Sequence, residues 1–261
     1  MNLSLSGRNA VVCGSTQGIG LAIAQELALL GANCTLIARN EASLKEALLH
    51  LDTALQQQHH YHVADFSKPA EVKEVIEKHV KETQVHILVN NTGGPAAGPA
   101  TEATTEQFVN AFNQHLVCNH ILTSAVIPAM KAASFGRIIN IISTSVKIPL
   151  KNLGVSNTIR GAVASWAKTM SNELGQFGIT VNNILPGFTK TQRLDSLIND
   201  TAAKKNKEVQ EIERQMMQEI PARRFGDPAE LAAVAAFLAS PAAAYVNGVS
   251  IPVDGGRTGC I

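Results

Sequence analysis

Short apolar runs alternate with longer amphipathic segments along most of the chain. The pattern predicts strands at 9–13, 33–38, 60–64, 86–89, 136–142 and 180–185, and the first of them, an apolar run that ends in glycine, suits a buried strand. The segments between them predict helices at 18–30, 41–57, 69–82, 105–132 and 157–177. Strands that alternate with helices predict parallel pairing through right-handed crossovers. The predicted fold class is α/β, a Rossmann-type doubly wound parallel sheet in three layers that forms a single domain over residues 1–261.

One stretch, at about 189–220, departs from this alternation. It is charged, rich in Lys, Glu and Gln, and follows the sixth predicted strand, where an open sheet has its ligand crevice. We expect a lid-like insertion over a substrate, with a solvated helical insertion as the alternative. Met216 and Met217 near its end would either line an adaptable apolar pocket or fill a core.

Composition narrows the class of protein. Hydrophobic residues make up 45% of the chain and charged residues 16%, which excludes a disordered chain. The 22 Lys and Arg against 21 Asp and Glu leave a net charge of +1, so the basic excess of a nucleic-acid-binding protein is missing. The sequence has no long apolar run and no secretory signal pattern. We therefore expect a cytoplasmic protein that binds neither nucleic acid nor membrane.

Metal and disulfide chemistry is not indicated. The four cysteines are scattered and form no CxxC pair, which predicts neither a disulfide framework nor a zinc site. The histidines at 59, 60 and 62 look like surface or strand positions, so we expect no metal there.

The first predicted strand runs directly into the loop GSTQGIG, with glycines at 14, 18 and 20. Glycine permits a tight turn and lets backbone approach a ligand closely. The N–H groups at the start of the following helix favour a pyrophosphate. Such a pattern is weak alone, and the strand before it and helix after it strengthen the prediction of a dinucleotide site.

Six motifs, in chain order, resemble those of the short-chain dehydrogenase/reductase family. They are GSTQGIG, VADFS with its Asp65, NNTGG, PGFTKT, FGDPAELAAVAAFLAS and VNGVSIPVDGG. The resemblance covers essentially the whole chain and implies hydride chemistry at a nicotinamide, with a small-molecule substrate. It also implies a homotetramer or homodimer, formed through the helices predicted at 105–132 and 157–177.

The resemblance further implies which residues contact the cofactor. They are Gly14, Ser15, Gln17, Gly18, Ile19, Gly20, Arg39, Asn40, Asp65, Phe66, Asn91, Thr92, Gly93, Arg160, Pro186, Gly187, Thr189 and Thr191.

The end of the second predicted strand bears on the choice of cofactor. A carboxylate there would bind the ribose 2′-OH of NAD, whereas an arginine accommodates the 2′-phosphate of NADP. The sequence has Arg39 and Asn40, with no acid before Glu41. A surface arginine is the alternative interpretation. We expect NADPH rather than NADH, although Gln17 is often basic in NADP-dependent relatives.

The resemblance fails at the catalytic residues. The family uses Asn, Ser, Tyr and a Lys four residues after the Tyr, with the Tyr as general acid. The only tyrosines are Tyr61 and Tyr245, and neither has a Lys four residues on. Residue spacings typical of the family place His115 at the Asn position and Ser143 at the Ser position. The same register places Ser156 and Arg160 at the Tyr and Lys positions.

These four residues suggest a rebuilt active site. Ser143 and Ser156 can orient an acceptor oxygen by hydrogen bonds, and Arg160 can hold the ribose and place positive charge near a developing oxyanion. The reference pKa of histidine, about 6.5, would suit His115 to relay protons, with a buried structural histidine as the alternative.

Two lysines on the loop between the serines, Lys147 and Lys151, are further candidates for proton donor. The alternative, which we favour, is that both are solvated surface lysines.

Loss of the general acid shapes the expected substrate. Quinones, activated dicarbonyls and enones delocalise the negative charge formed on hydride arrival, so they need less acid assistance than simple ketones. We predict an NADPH-dependent oxidoreductase that transfers hydride to a carbonyl- or quinone-like acceptor, and ordinary 3-oxoacyl reduction is disfavoured. The alternative is a catalytically inactive NADP(H)-binding sensor or structural protein, because an intact glycine loop fits both functions.

Overall fold

The computed structural model describes residues 1–260 and contains one seven-stranded parallel sheet. The strands are β1 Asn9–Cys13, β2 Asn33–Ala38, β3 His60–Val63, β4 Ile87–Asn90, β5 Gly136–Ile141, β6 Ile179–Pro186 and β7 Ser250–Val253. Their order across the sheet is β3-β2-β1-β4-β5-β6-β7. The order reverses between β1 and β4, which is where a doubly wound sheet opens its ligand crevice.

Helices cover both faces of the sheet. They are α1 Gly18–Leu29, α2 Glu41–Leu48, α3 Pro69–Glu82, α4 Thr105–Phe112, α5 Cys118–Ala132, α6 Gly154–Leu174, α7 Gln192–Lys205, α8 Val209–Gln218 and α9 Pro228–Ala239. Side chains of α1, α2 and α9 form the core on one face, and those of α3, α5 and α6 form the core on the other. The predicted three-layer, doubly wound α/β fold is confirmed.

Some predicted elements differ from the observed ones. The helix predicted over 41–57 ends at Leu48, and the Oδ1 of Asp52 accepts the N–H of Ala54 in the turn that follows. The helix predicted over 157–177 begins three residues earlier, at Gly154. The strand β7 was not predicted, because its four residues include a proline.

The helix predicted over 105–132 is divided by a π-helical turn at Asn113–Val117. A π turn widens the helix by one residue and changes the direction of the side chains within it. His115 lies in the middle of this turn and is buried. The irregularity therefore coincides with one of the predicted catalytic positions.

A row of amide side chains crosses the sheet from β4 to β7. Asn90 donates to Asn140 at 2.9 Å, Asn140 donates to Asn183 at 3.0 Å, and Asn183 donates to the Oγ of Ser250 at 3.0 Å. The three asparagines are buried and stand directly opposite one another in the strand register. We call this row the amide ladder.

The region predicted as a lid folds into α7 and α8 and has an apolar core of its own. Its buried members are Leu194, Ile198, Ala202, Ile212, Ile220 and Phe225. Met216 and Met217 pack against this cluster, which supports the interpretation that they fill a core.

Residues 1–260 contain no group of three or more His, Cys, Asp or Glu placed to hold a metal ion. Within the same range no helix is long and apolar enough to cross a membrane. Three cysteines are buried, and burial raises the pKa of Cys34 and Cys118 to about 12, so both thiols are protonated at neutral pH.

Candidate functional site

The glycine loop joins β1 to α1 in a backbone conformation that other residues would strain. Gly14 and Gly18 have φ of +57° and +55°. A Cβ on Gly20 would lie 2.1 Å from the carbonyl oxygen of Gly14, which excludes any side chain there. In the described chain no side chain caps the N-terminus of α1, so its first N–H groups are available to an anion.

A cavity of about 390 Å³ lies beside this loop, and we call it the glycine-loop cavity. The predicted cofactor residues that line it are Gly14, Gln17, Arg39, Asp65, Phe66, Asn91, Thr92 and Gly93. The carboxylate of Asp65 accepts the N–H of Ser67 at 2.9 Å, and the hydrogen bonds from Ser67 lower the pKa of Asp65. The cavity therefore presents an ionised acid and an exposed arginine, Arg39, to one ligand.

A second cavity, of about 230 Å³, continues from the first, and we call it the arginine cavity. The predicted residues on its wall are Ile19, Ser143, Ser156, Arg160, Pro186, Gly187, Thr189 and Thr191. The segment 91–94 lines both cavities, so together they form one crevice. The structure thus brings three of the four predicted catalytic residues next to the dinucleotide loop.

Arg160 is buried at the base of the arginine cavity, on α6. Its Nη1 donates to the carbonyl oxygen of Ile141 at 2.9 Å, which aims the guanidinium at the end of β5. Burial, with the nearby charge of Arg193, lowers the pKa of Arg160 to about 10. The group is still protonated at neutral pH, so a positive charge is fixed at this point.

His115 lies behind the crevice wall and lines neither cavity. Its Nδ1 is 2.6 Å from the Oγ1 of Thr92, which does line both cavities, and its Nε2 has no partner in the described structure. Burial, then the charges of Arg160 and Arg193, lowers the pKa of His115 to about 3. The expectation that His115 titrates near neutral pH is therefore corrected, because its imidazole is neutral at pH 7.

Several predicted residues lie outside both cavities. Lys147 and Lys151 are exposed on the loop after β5, which favours the interpretation as solvated lysines. Asn40 caps α2, because its Oδ1 accepts the N–H of Ser43 at 2.9 Å. Ser15 is buried in the glycine loop, and its Oγ has no partner among the described residues. Gly18 and Gly20 line neither cavity, and they contribute the backbone of the turn and N–H groups at the start of α1.

Sequence reasoning missed an arginine on the wall of the arginine cavity. Arg193, on α7, is exposed as a residue, but its Nη1 and Nη2 donate to the carbonyl oxygens of Gly94 and Pro95 at 3.0 and 3.3 Å. A Cβ on Gly94 would lie 2.8 Å from Nη2, so glycine is what permits this approach. The signal available was an arginine two residues after the PGFTKT motif.

A second missed arginine reaches the same cavity from the C-terminal segment. The guanidinium of Arg257 lies 4.2 Å from the ring centroid of Phe188, and its Nη2 is 2.9 Å from a carboxylate oxygen of Glu219. Phe188 and Arg257 both line the arginine cavity. Arg257 directly follows the VNGVSIPVDGG motif, but its place on the cavity wall depends on how the last strand returns to the sheet.

The chain is similar to known oxidoreductases over nearly its whole length. A profile described as enoyl-(acyl carrier protein) reductase matches residues 14–258. The NADPH-dependent reductase BacG of Bacillus subtilis is 32% identical over 263 residues, covering 97% of this chain and 98% of that protein. A tropinone reductase homolog of Arabidopsis thaliana is 31% identical over 257 residues, covering 98% of this chain and 77% of that protein.

Solved structures show the same fold. The NADPH-dependent reductase YwfH, involved in bacilysin biosynthesis, superimposes with a TM-score of 0.92 at 31% identity, covering 98% of this chain and all of that one. L-sorbose reductase from Gluconobacter frateurii, solved with NADPH and L-sorbose, gives a TM-score of 0.94 at 30% identity over the full length of both chains.

Proposed function

This chain belongs to the short-chain dehydrogenase/reductase family, and on that premise we propose that it reduces an electron-poor carbonyl- or quinone-like acceptor with NADPH through an atypical active site. The observation that carries the proposal is the position of Arg160. A buried, fixed cation stands with Ser143 and Ser156 in a cavity that continues directly into the dinucleotide cradle.

NADPH is the cofactor, and the residues of the glycine-loop cavity fit it. The open N-terminus of α1 suits the diphosphate, and Asp65, which lines the same cavity, suits the adenine. Arg39 suits the 2′-phosphate, since the end of β2 carries no acid that would prefer a ribose 2′-OH. When bound, NADPH supplies the hydride.

In the arginine cavity, the fixed positive charge of Arg160 takes the place of the missing general acid. The hydroxyl groups of Ser143 and Ser156 orient the acceptor oxygen, and the Arg160 guanidinium stabilises the negative charge that develops on it. Arg160 cannot donate the proton, because its pKa of about 10 is too high for general acid work at pH 7. The acceptor carbon therefore gains the hydride, and its oxygen takes a proton supplied by solvent.

We assign to His115 a role as neutral relay. A neutral imidazole can take a proton on one nitrogen while it releases one from the other. The Nδ1 contact with Thr92 connects His115 to the crevice, and its unpartnered Nε2 is open to a buried water molecule. A relay of this kind needs no histidine that titrates near pH 7.

We further propose that residues 189–220 act as a lid within a single domain spanning 1–261. Thr189, Thr191, Arg193, Leu194 and Leu197 come from this segment and line the arginine cavity. The apolar core shared by α7 and α8 allows the two helices to move as one unit. Closure of such a unit would exclude water from the reacting atoms.

The family also favours a homotetramer or homodimer. Val109 and Phe112 are exposed apolar side chains on α4, a helix within the region that the family uses for association. Light scattering coupled to size-exclusion chromatography would give a mass of two or four chains, and a single-chain mass would contradict this part of the proposal.

The experiment that tests the proposed function is a titration with NADPH and NADH, followed by cofactor oxidation against quinones, dicarbonyls, enones and simple ketones. We expect tighter binding of NADPH and turnover of electron-poor acceptors in preference to simple ketones. Preference for simple ketones would contradict the acceptor class. Tight NADPH binding without turnover of any acceptor would instead support a catalytically inactive sensor or structural protein.

A further inference from the structure

The arginine cavity concentrates positive charge. Three of its lining residues are Arg160, Arg193 and Arg257, and none of the lining residues in the described part of the chain is Asp or Glu. The remaining wall consists of glycine, hydroxyl and apolar residues and the amide of Asn91, none of which carries a charge. A ligand in this cavity would meet guanidinium groups from three different parts of the chain.

Two of these three cations have no counter-ion among residues 1–260. Arg257 forms an ion pair with Glu219, whereas Arg160 and Arg193 donate only to backbone carbonyl oxygens. A carbonyl oxygen accepts a hydrogen bond but neutralises no charge. The charge of Arg193 also lowers the pKa of Arg160, so the two groups repel each other. Cations so placed are stabilised when an anion lies between them.

We propose that the acceptor is an oxo acid, whose carboxylate Arg193 binds while Arg160 faces its carbonyl oxygen. This inference rests on the proposed function. The planar guanidinium matches a carboxylate with two parallel hydrogen bonds. The carbonyl carbon gains the hydride of NADPH and the oxygen gains a proton from solvent, which yields a hydroxy acid and NADP⁺.

The position of Arg193 favours the substrate over the cofactor as its anion. Arg193 lines the arginine cavity and is not part of the glycine-loop cavity, where the N-terminus of α1 provides for the diphosphate. It also belongs to α7, the first helix of the proposed lid. Binding of a carboxylate would thus draw the lid toward the acceptor.

The first test compares phenylglyoxylate with its methyl ester, which differ in charge at the same reacting carbonyl. We expect higher kcat/KM for the acid, although the ester carbonyl is the more electron-poor. Arg193→Gln should raise KM for the acid about 10- to 100-fold, which is the effect of losing a charge-assisted hydrogen bond, and raise KM for the ester by a much smaller factor. Arg193→Lys should retain part of the preference. Arg214→Gln removes an exposed arginine of α8 outside both cavities and is the matched control.

Equal use of acid and ester would overturn the inference. It would also be overturned if Arg193→Gln weakened binding of NADPH itself as strongly as it raised KM for the acid, since Arg193 would then serve the cofactor.

A second test does not depend on turnover. Calorimetric titration of the protein with NADP⁺ bound compares benzoate with benzamide. We expect benzoate to bind more tightly and this preference to disappear in Arg193→Gln. If no acceptor is reduced but the preference is found, the proposed function fails and the anion site stands. If wild type shows no preference, the anion site fails whether or not an acceptor is reduced.

Discussion

The two cavities of the crevice differ in how their charges are arranged. In the glycine-loop cavity, Arg39 and Asp65 carry opposite charges, and the proposed function assigns each of them a separate part of the dinucleotide. In the arginine cavity, positive groups stand together with no acid on the wall within the described chain. A balanced cavity suits a ligand that has both neutral and anionic parts. A cavity of one sign suits the formation of negative charge during a reaction.

Under the proposed function, the difference separates a cofactor site that is kept from a reaction site whose catalytic residues have changed. The cradle for the cofactor is made of backbone and short motifs, so substitutions elsewhere leave it intact. The acceptor end depends on a few side chains on α6, α7 and the C-terminal segment. Under the proposed function, Ser156 and Arg160 stand in place of the family's Tyr and Lys, which would alter proton delivery and leave the cofactor loop unchanged.

The largest effect on the difference between the two cavities is expected from removing the fixed charge of Arg160 in the arginine cavity. Arg160→Gln should lower kcat by about 10²- to 10³-fold, the usual effect of losing one oxyanion-stabilising group. NADPH affinity should fall by a much smaller factor, because the diphosphate and 2′-phosphate contacts remain. Stopped-flow oxidation of NADPH and a binding titration separate the two effects. Comparable losses in both would show that Arg160 serves the cofactor alone, and Arg160→Lys should recover part of kcat.

The corresponding change in the glycine-loop cavity should lower the affinity for the cofactor rather than the rate of hydride transfer. Arg39→Gln should weaken NADPH binding by about 10- to 100-fold, since a hydrogen bond to a charged group contributes about 1.5–3 kcal/mol. NADH lacks the 2′-phosphate, so its affinity should stay unchanged and serve as the internal control. Fluorescence titration of both cofactors measures this. Equal weakening of NADPH and NADH would contradict the role of Arg39.

The smallest expected effect is on stability at mild acidity. The pKa of His115 is about 3 when folded, well below the reference value of about 6.5 expected when unfolded. The unfolded state therefore binds the proton first, and the free energy of unfolding falls as pH drops from 7 to 5. His115 should contribute on the order of 1 kcal/mol to this fall.

His115→Gln isolates that contribution. Urea unfolding at pH 7 and pH 5 should show a smaller pH dependence in the variant than in wild type. Asp65 at the other cavity gives the same sign over a more acidic range: its pKa is also lowered on folding, so its contribution to stability is present above its unfolded pKa and is lost as the pH falls below that value. An unchanged difference between pH 7 and pH 5 in the variant would show that His115 is not buried as described.

The parts of the site that sequence could predict are those written in contiguous motifs or at fixed helical spacing. The glycine loop, Asp65 and Arg39 all reach one cavity as expected, and Ser156 and Arg160 share another because they lie four residues apart on one helix. Their catalytic roles stay predictions. The strand and helix alternation was sufficient for the fold.

What sequence could not give depends on contacts between distant segments. Arg193 enters the site because α7 docks against the loop after β4, and Arg257 because the C-terminal segment returns beside Phe188. The low pKa of His115 follows from its burial and from two nearby guanidinium groups. The sequence around His115 indicates neither its burial nor the closeness of those groups.

The amide ladder has a consequence for how the sheet is assembled. A strand that paired one residue out of place would turn its side chains to the opposite face. In this sheet such an error at β5 would separate Asn140 from both Asn90 and Asn183 and leave their amides buried without partners. Apolar strands could tolerate a shifted pairing for some time during folding. The amide ladder makes the shifted pairing costly as soon as the strands meet, so the strands whose carboxyl ends reach the arginine cavity are held to one register.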